Sequence, residues 1–228
     1  MTIRALLLAI ALGATTFWSE FAAAQSTDPF TAEEREAVYT EAIARRSAAV
    51  VGLLELNDAT KSNKLHGVIV AQYRALRARD EAMDQMFKAL DKDAPDAATN
   101  RAAILPIVSR TLHDQFLARL SAELTPQQVE TVKDKMTYHK VEVTYKAYCE
   151  ILPNLTSSDK AMILAALKEA REEAVDGGSA DEKTAIFQKY KNQINARLSA
   201  KGFDVAKATK EWEARQAQVA TQAAPSPK

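Results

Sequence analysis

The chain has 228 residues, of which 30 are Lys or Arg and 30 are Asp or Glu, so its formal net charge at pH 7 is zero. This balance gives no electrostatic basis for a nucleic-acid surface or for attachment to an anionic membrane, and we predict neither partner. The single cysteine, Cys149, excludes an intrachain disulfide. Its flanking sequence YKAYCEIL favours a buried, inert thiol over a nucleophile.

The first residues have the pattern of a secretory signal. Arg4 precedes the apolar run ALLLAIALGATTF, which is too short to span a bilayer comfortably. Residues 22–24 are three alanines that form an A-x-A cleavage site. We therefore predict a signal peptide over residues 1–24, cleaved near Ala24/Gln25, and a periplasmic or secreted protein with no membrane attachment after cleavage. A retained N-terminal anchor is the alternative.

The rest of the chain has the pattern of an all-α protein. Gly and Pro are few, and apolar residues recur at helical spacing. We predict one domain over residues 25–220, a bundle of about six or seven helices, followed by a flexible tail over 221–228. The predicted helices cover residues 32–56, 59–91, 97–121, 126–151, 157–176, 180–201 and 204–219.

Four predicted helices begin with a Ser or Thr three residues before an acid or amide. In this arrangement the hydroxyl accepts a hydrogen bond from a free backbone N–H, and the later side chain reaches back to the first residue. Pro126 follows Thr125 at the first helical position, where its missing N–H has no cost. The four pairs are Thr31 with Glu34, Thr125 with Gln128, Thr156 with Asp159, and Ser179 with Glu182.

The predicted helix over 126–151 is apolar on two faces. One face carries Val129, Val132, Met136, Val143 and Ala147. Nearly the opposite face carries Tyr138, Val141, Tyr145 and Tyr148. A helix that is apolar on two sides belongs in the centre of a bundle. The tyrosines are then either core residues whose hydroxyls find partners, or residues that line a pocket.

Asp80 and His113 interrupt apolar stripes. Asp80 falls on a stripe that includes Leu76 and Met83, so we expect its carboxylate to pair with an Arg or Tyr of a neighbouring helix. His113 borders the apolar face of SRTLHDQFLARL, which suits either a structural histidine or a general base. The sequence has no HExxH motif and no paired cysteines, so we predict no metal and no cofactor.

An acidic stripe lies near the end of the helix predicted over 157–176. Glu169, Glu172, Glu173 and Asp176 are spaced so that they share one side of that helix. Negative charge is unfavourable at a helix C-terminus. Either these carboxylates form local ion pairs, for example with Lys189, or they form a cluster that holds a sugar or a cation.

Three blocks of the sequence resemble a family of secreted bacterial proteins known as domain of unknown function 3826. They are LTPQQVETVKDKMTYHKVEVTYKAY, ILPNLTSSDKAMILAALKEAREEAVDGGSADEK and FQKYKNQINARLSAKGFD. The resemblance covers about residues 31–212. It implies a protein of glycan-degrading bacteria, sometimes encoded near polysaccharide-breakdown genes, and it implies no mechanism.

Residues that match the family pattern supply the whole candidate ligand-binding set. That pattern reads VKDGMTYG where this chain has VKDKMTYH, and EKHAWFGKYKG where this chain has EKTAIFQKYKN. An activity that needs the family's His in the second segment is therefore in doubt here, because Thr184 takes its place. The candidate ligand-binding residues are Tyr138, Tyr145, Glu169, Arg171, Asp176 and Lys189.

Three hypotheses about function remain open. The first is an exported carbohydrate-binding or accessory protein with a tyrosine-lined cleft and an oligosaccharide ligand. The second is a glycan-active enzyme, a hydrolase or lyase, with catalytic candidates Asp80, His113, Asp134 and Tyr138. The third is a periplasmic chaperone, because LTPQQ is similar to LTxxQ repeats of small periplasmic chaperones, and it requires an exposed apolar groove. The sequence predicts no oligomeric state.

Overall fold

The structure, a computed structural model, describes residues 30–89 and 97–223, and these form eight α-helices and no strand. This confirms the predicted all-α fold, with one helix more than expected. Among the described helices, none combines the length and apolarity needed to cross a membrane. The helices are α1 (Ala32–Gly52), α2 (Ala59–Ala89), α3 (Ala97–Ser121), α4 (Pro126–Met136), α5 (Lys140–Ile151), α6 (Ser157–Val175), α7 (Ala180–Ala200) and α8 (Val205–Ala223).

Two terminal predictions fall wholly or partly outside the described residues. The predicted signal peptide and its cleavage site lie outside them, as does the tail from residue 224 onward. Residues 221–223 of that tail belong to α8. The chain divides into two compact units, Met1–Glu41 and Ala42–Lys228, with the boundary inside α1. One domain over 25–220 therefore stays a prediction.

The predicted helix starts are confirmed at the level of individual hydrogen bonds. Thr125 and Gln128 form a complete capping box, and so do Thr156 and Asp159. In the first unit, the Glu34 carboxylate accepts from the backbone N–H of Thr31, whose hydroxyl accepts from the N–H of Glu34. Ser179 accepts from the N–H of Glu182, whose carboxylate accepts from Gly178 instead of reaching back to Ser179.

The prediction of one continuous helix over 126–151 is wrong. Tyr138 and His139 have positive φ values of 59° and 53°, and they separate α4 from α5. The side chain of Thr137 is fully buried, and its hydroxyl donates to the carbonyl of Lys133 at 2.8 Å. The buried residues of the two expected faces lie on separate short helices, and Val143, expected on the first face, is 63 % exposed.

The larger unit, Ala42–Lys228, has two apolar clusters that meet along α6. Val129, Val132 and Met136 of α4 pack with residues of α1, α2 and α3 in one cluster. Val141 and Tyr148 of α5 pack with α6, α7 and α8 in the other. α6 contributes Val175 to the first cluster and most of its buried residues to the second. The C-terminal end of α6 therefore contacts both apolar clusters.

The break between α4 and α5 generates a prediction. His139 is left-handed, a conformation that costs most L-residues about 1–2 kcal/mol and costs glycine little. The related pattern VKDGMTYG has glycine at this position. We expect His139→Gly to raise the free energy of unfolding by about 0.5–1 kcal/mol, measured by urea denaturation.

A matched control separates this backbone effect from a general effect of glycine. Lys146→Gly lies in the interior of α5 at an exposed position and should lower the free energy of unfolding by about 1 kcal/mol. Destabilisation of similar size by both substitutions would show that the left-handed backbone at His139 carries no strain.

Candidate functional site

A cavity of about 770 Å³ opens between α3, α6 and α7 in the larger unit. Its lining combines a few apolar side chains with many charged ones, and carboxylates outnumber the fixed cations. The sequence candidates His113, Asp176 and Lys189 all contribute to it. The lining residues are Leu105, Pro106, Ser109, Arg110, His113, Asp114, Glu172, Glu173, Asp176, Glu182, Ile186 and Lys189.

In the cavity, His113 of α3 contacts Asp176 at the end of α6. The imidazole Nδ1 lies 2.9 Å from Oδ2 of Asp176, although the contact is poorly aligned for a hydrogen bond. Nε2 of the same ring lies 4.0 Å from Oε2 of Glu172. The Asp176 carboxylate raises the pKa of His113; burial opposes this, and the charges of Asp176, Glu172 and Asp114 add to it. The ring is therefore suited to carry a proton at this site.

Arg79 of α2 fixes the position of Asp176. The Arg79 side chain is only 2 % exposed. One guanidinium nitrogen donates to the backbone carbonyl of Asp176 at 2.8 Å and to the hydroxyl of Ser109 at 2.9 Å. The other nitrogens donate to Asp80 at 2.7 and 2.9 Å. One buried cation thus joins α2, α3 and the C-terminus of α6.

The expected place of Asp80 on the buried stripe of α2 is wrong. The buried positions in that part of the helix are Gln72, Leu76, Arg79 and Met83, so Arg79 takes the core position and Asp80 lies beside it, partly exposed. The partner of Asp80 is the adjacent Arg79 and not a residue of a neighbouring helix. Sequence reasoning missed Arg79 because an Arg side chain is rarely fully buried unless it is paired, and its partners lie on other helices.

A second buried guanidinium lies behind the cavity. Arg171 of α6 donates to Asp134 at 2.6 Å, to Glu172 at 3.1 Å and to Glu130. Lys133, also buried, pairs with both oxygens of Glu172 at 2.8 and 3.0 Å and with Glu130. These contacts join α4 to α6 and leave Glu172 as the one carboxylate shared by this network and the cavity.

Lys183 of α7 caps the end of α6. Its ammonium donates to the carbonyl of Ala174 at 2.7 Å and to that of Val175 at 3.2 Å. The last carbonyls of a helix have no intrahelical partner, and here the Ala174 carbonyl also accepts from the backbone N–H of Gly177. Burial lowers the pKa of Lys183 to about 8, against the raising effects of Asp176 and Glu182. The turn that follows α6 therefore has three separate attachments, through Lys183, Arg79 and His113.

Gly178 allows this turn to lie against α2. A Cβ atom built at Gly178 would lie 1.9 Å from Oδ2 of Asp80. Only glycine fits without moving that carboxylate, which Arg79 holds. Gly178 is thus a site of close approach between this turn and α2.

The acidic stripe of α6 divides into separate roles. Glu173 accepts from the ammonium of Lys189 at 2.7 and 2.8 Å, which is the ion pair expected across α6 and α7. Glu172 and Asp176 face the other cations and His113 as described above. Glu169 is exposed and does not line the cavity. Burial, followed by the nearby Glu173, raises the pKa of Tyr190 to about 12.

The three tyrosines that were expected to share one face, Tyr138, Tyr145 and Tyr148, do not line this cavity. Tyr138 is 46 % exposed at the α4–α5 break, and Tyr145 packs partly buried against the cluster of α5 to α8. Tyr148 is buried, and its hydroxyl donates to Asn195 at 2.6 Å. Asp134 and Arg171 reach the cavity only indirectly, through Glu172. Cys149 is half-buried, which corrects the expectation of a buried thiol.

The described residues contain no group of three or more His, Cys, Asp or Glu side chains arranged to hold a metal ion. The cavity instead offers an imidazole beside a carboxylate, further carboxylates, and the cations of Arg110 and Lys189. Such a set of donors and acceptors suits hydrogen bonding to a polar small molecule or the transfer of a proton to it.

The family assignment rests on a match over residues 40–217, which includes every residue that lines the cavity. The matching description is a protein of unknown function, DUF3826. The chain belongs to this family. A search of curated proteins finds no match. Family membership therefore gives no activity or ligand, and the geometry of the cavity is the basis for any proposal about function.

The His113–Asp176 pair predicts a specific dependence of stability on pH. The folded protein holds the His113 proton more tightly than the unfolded chain, whose histidine has a pKa of about 6.5. The stabilisation is therefore complete below about pH 6.5 and is lost as the pH rises through the raised pKa of His113. We expect the free energy of unfolding to fall over this range relative to His113→Gln, in urea denaturation at several pH values.

The comparison with the variant removes the contribution of other groups, including Lys183, whose lowered pKa acts in the opposite direction. His66→Gln is the control, because His66 contacts the Ala44 carbonyl and does not line the cavity. Parallel pH profiles for the wild type and His113→Gln would contradict the raised pKa.

Proposed function

We propose that this protein is an exported carbohydrate-binding or accessory protein that holds an oligosaccharide in the cavity between α3, α6 and α7. The observation that carries the proposal is the mixed polar lining, in which donors and acceptors are fixed by ion pairs before any ligand arrives. The volume of the cavity, about 770 Å³, is within the range of small-molecule sites. Export rests on the predicted signal peptide over residues 1–24.

The lining matches the chemistry of sugar hydroxyl groups. Each hydroxyl both donates and accepts hydrogen bonds, so it needs carboxylates and cations side by side. Asp176, Glu172 and Glu182 offer acceptors, whereas Arg110 and Lys189 offer donors. Leu105, Pro106 and Ile186 offer apolar surface for the C–H groups of a sugar ring, in the role that the tyrosine-lined cleft was expected to have.

The His113–Asp176 pair favours a second function at the same site, a glycan-active hydrolase or lyase. A carboxylate-held imidazole beside a cavity is a common arrangement for proton transfer. Asp134 and Tyr138, two of the catalytic candidates from the sequence, do not line the cavity and have no role in this second function. Asp80 does not line the cavity either, but it pairs with Arg79, which contacts the cavity residues Ser109 and Asp176.

The chaperone alternative needs an exposed apolar surface, and α3 offers some exposed apolar side chains. Ile104, Ile107 and Val108 of α3 are exposed apolar residues. The LTPQQ motif that suggested this function is accounted for by the capping box of Thr125 and Gln128. The cavity therefore supports carbohydrate binding better than these features support chaperone activity.

Thermal unfolding with cello-, xylo- and manno-oligosaccharides tests the proposal. A ligand at 100 times its Kd adds about 2.7 kcal/mol to stability, so Tm should rise by about 5–10 °C with one sugar class. Asp176→Asn should abolish the rise, whereas Glu169→Gln, one exposed residue of the same helix outside the cavity, should keep it. The absence of a rise with every class, or a rise that survives Asp176→Asn, would count against the site.

A further inference from the structure

The cavity holds one donor and one acceptor at a separation that fits a single oxygen atom. Nε2 of His113 on α3 and Oε2 of Glu172 on α6 lie 4.0 Å apart. This distance exceeds a direct hydrogen bond, but an oxygen about 2.8 Å from each atom can bridge them. Both residues line the cavity.

Neither side of this pair is free to close the distance easily. The other nitrogen of the His113 ring lies against Asp176, whose backbone carbonyl is held by Arg79. Glu172 accepts from Lys133 through both of its oxygens and from Arg171 through one. The donor and the acceptor are thus positioned from two different helices before a ligand binds.

The group that fits between them must accept from an imidazole N–H and donate to a carboxylate. A hydroxyl does both, whereas a carbonyl or ether oxygen only accepts and an ammonium only donates. We propose that His113 and Glu172 form a specificity subsite that binds one sugar hydroxyl as a bridge between them. This inference rests on the proposed oligosaccharide site and names the contact that selects its ligand.

Charged side chains surround the His113 ring. Asp176 and Glu172 of α6 and Asp114 of α3 all favour the charged ring. The cations Arg110 of α3 and Lys189 of α7 line the same cavity, and Lys189 is already paired with Glu173. A charged donor makes the bridging hydrogen bond stronger than a neutral one would be.

The test is isothermal titration of the purified protein with cellotriose, xylotriose and mannotriose. We expect at least one triose to bind the wild type and its affinity to fall by about tenfold or more in His113→Gln and in Glu172→Gln, since each loses a hydrogen bond to a charged group. The double variant should lose little more than either single variant, because both act on one hydroxyl. His66→Gln and Glu169→Gln, both outside the cavity, should bind as the wild type does.

The outcomes separate the two proposals. A triose that binds the wild type and both single variants equally would overturn the subsite and leave the oligosaccharide site standing. Binding of no triose to the wild type would overturn the oligosaccharide site, and the subsite with it. Glu172→Gln also disturbs Arg171 and Lys133, so His113→Gln, which leaves that network intact, decides the result if the other variant fails to fold.

Discussion

The buried guanidinium of Arg79 is the contact on which the arrangement of the cavity depends. A buried cation is costly unless all its hydrogen bonds have partners, and Arg79 finds them on α2, on α3 and at the end of α6. The contact with the Asp176 carbonyl places the Asp176 carboxylate beside His113. Arg79 does not line the cavity, but it positions Asp176, and the Asp176 carboxylate raises the pKa of His113.

The second buried guanidinium, that of Arg171, also positions a carboxylate that lines the cavity. Together with Lys133 it holds Glu172, so that α4 is joined to α6 behind the cavity. Buried ion pairs contribute little net stability, because desolvation offsets much of their attraction. Their effect here is positional, since they fix a carboxylate at 4.0 Å from the imidazole of His113. Preorganisation of this kind reduces the cost of ligand binding.

Local sequence signals predicted the helices well and their long-range contacts poorly. The Ser and Thr capping residues set helix starts through bonds only three residues long, as at Thr125. The α4–α5 break escaped prediction because it uses positive φ at Tyr138 and His139, and positive φ is uncommon for residues other than glycine. His113, Asp176 and Lys189 were named as separate candidates, but their meeting in one cavity depends on Arg79, whose burial no local pattern indicates.

The most direct test of this account is an NMR titration of His113 in the wild type and in Arg79→Met, with folding checked by circular dichroism. Loss of the Arg79 anchor should release Asp176 and lower the pKa of His113 towards its ordinary value of about 6.5. Removal of a nearby positive charge alone would raise that pKa. A lower pKa in Arg79→Met supports the positional role of Arg79, and an unchanged or higher pKa would contradict it.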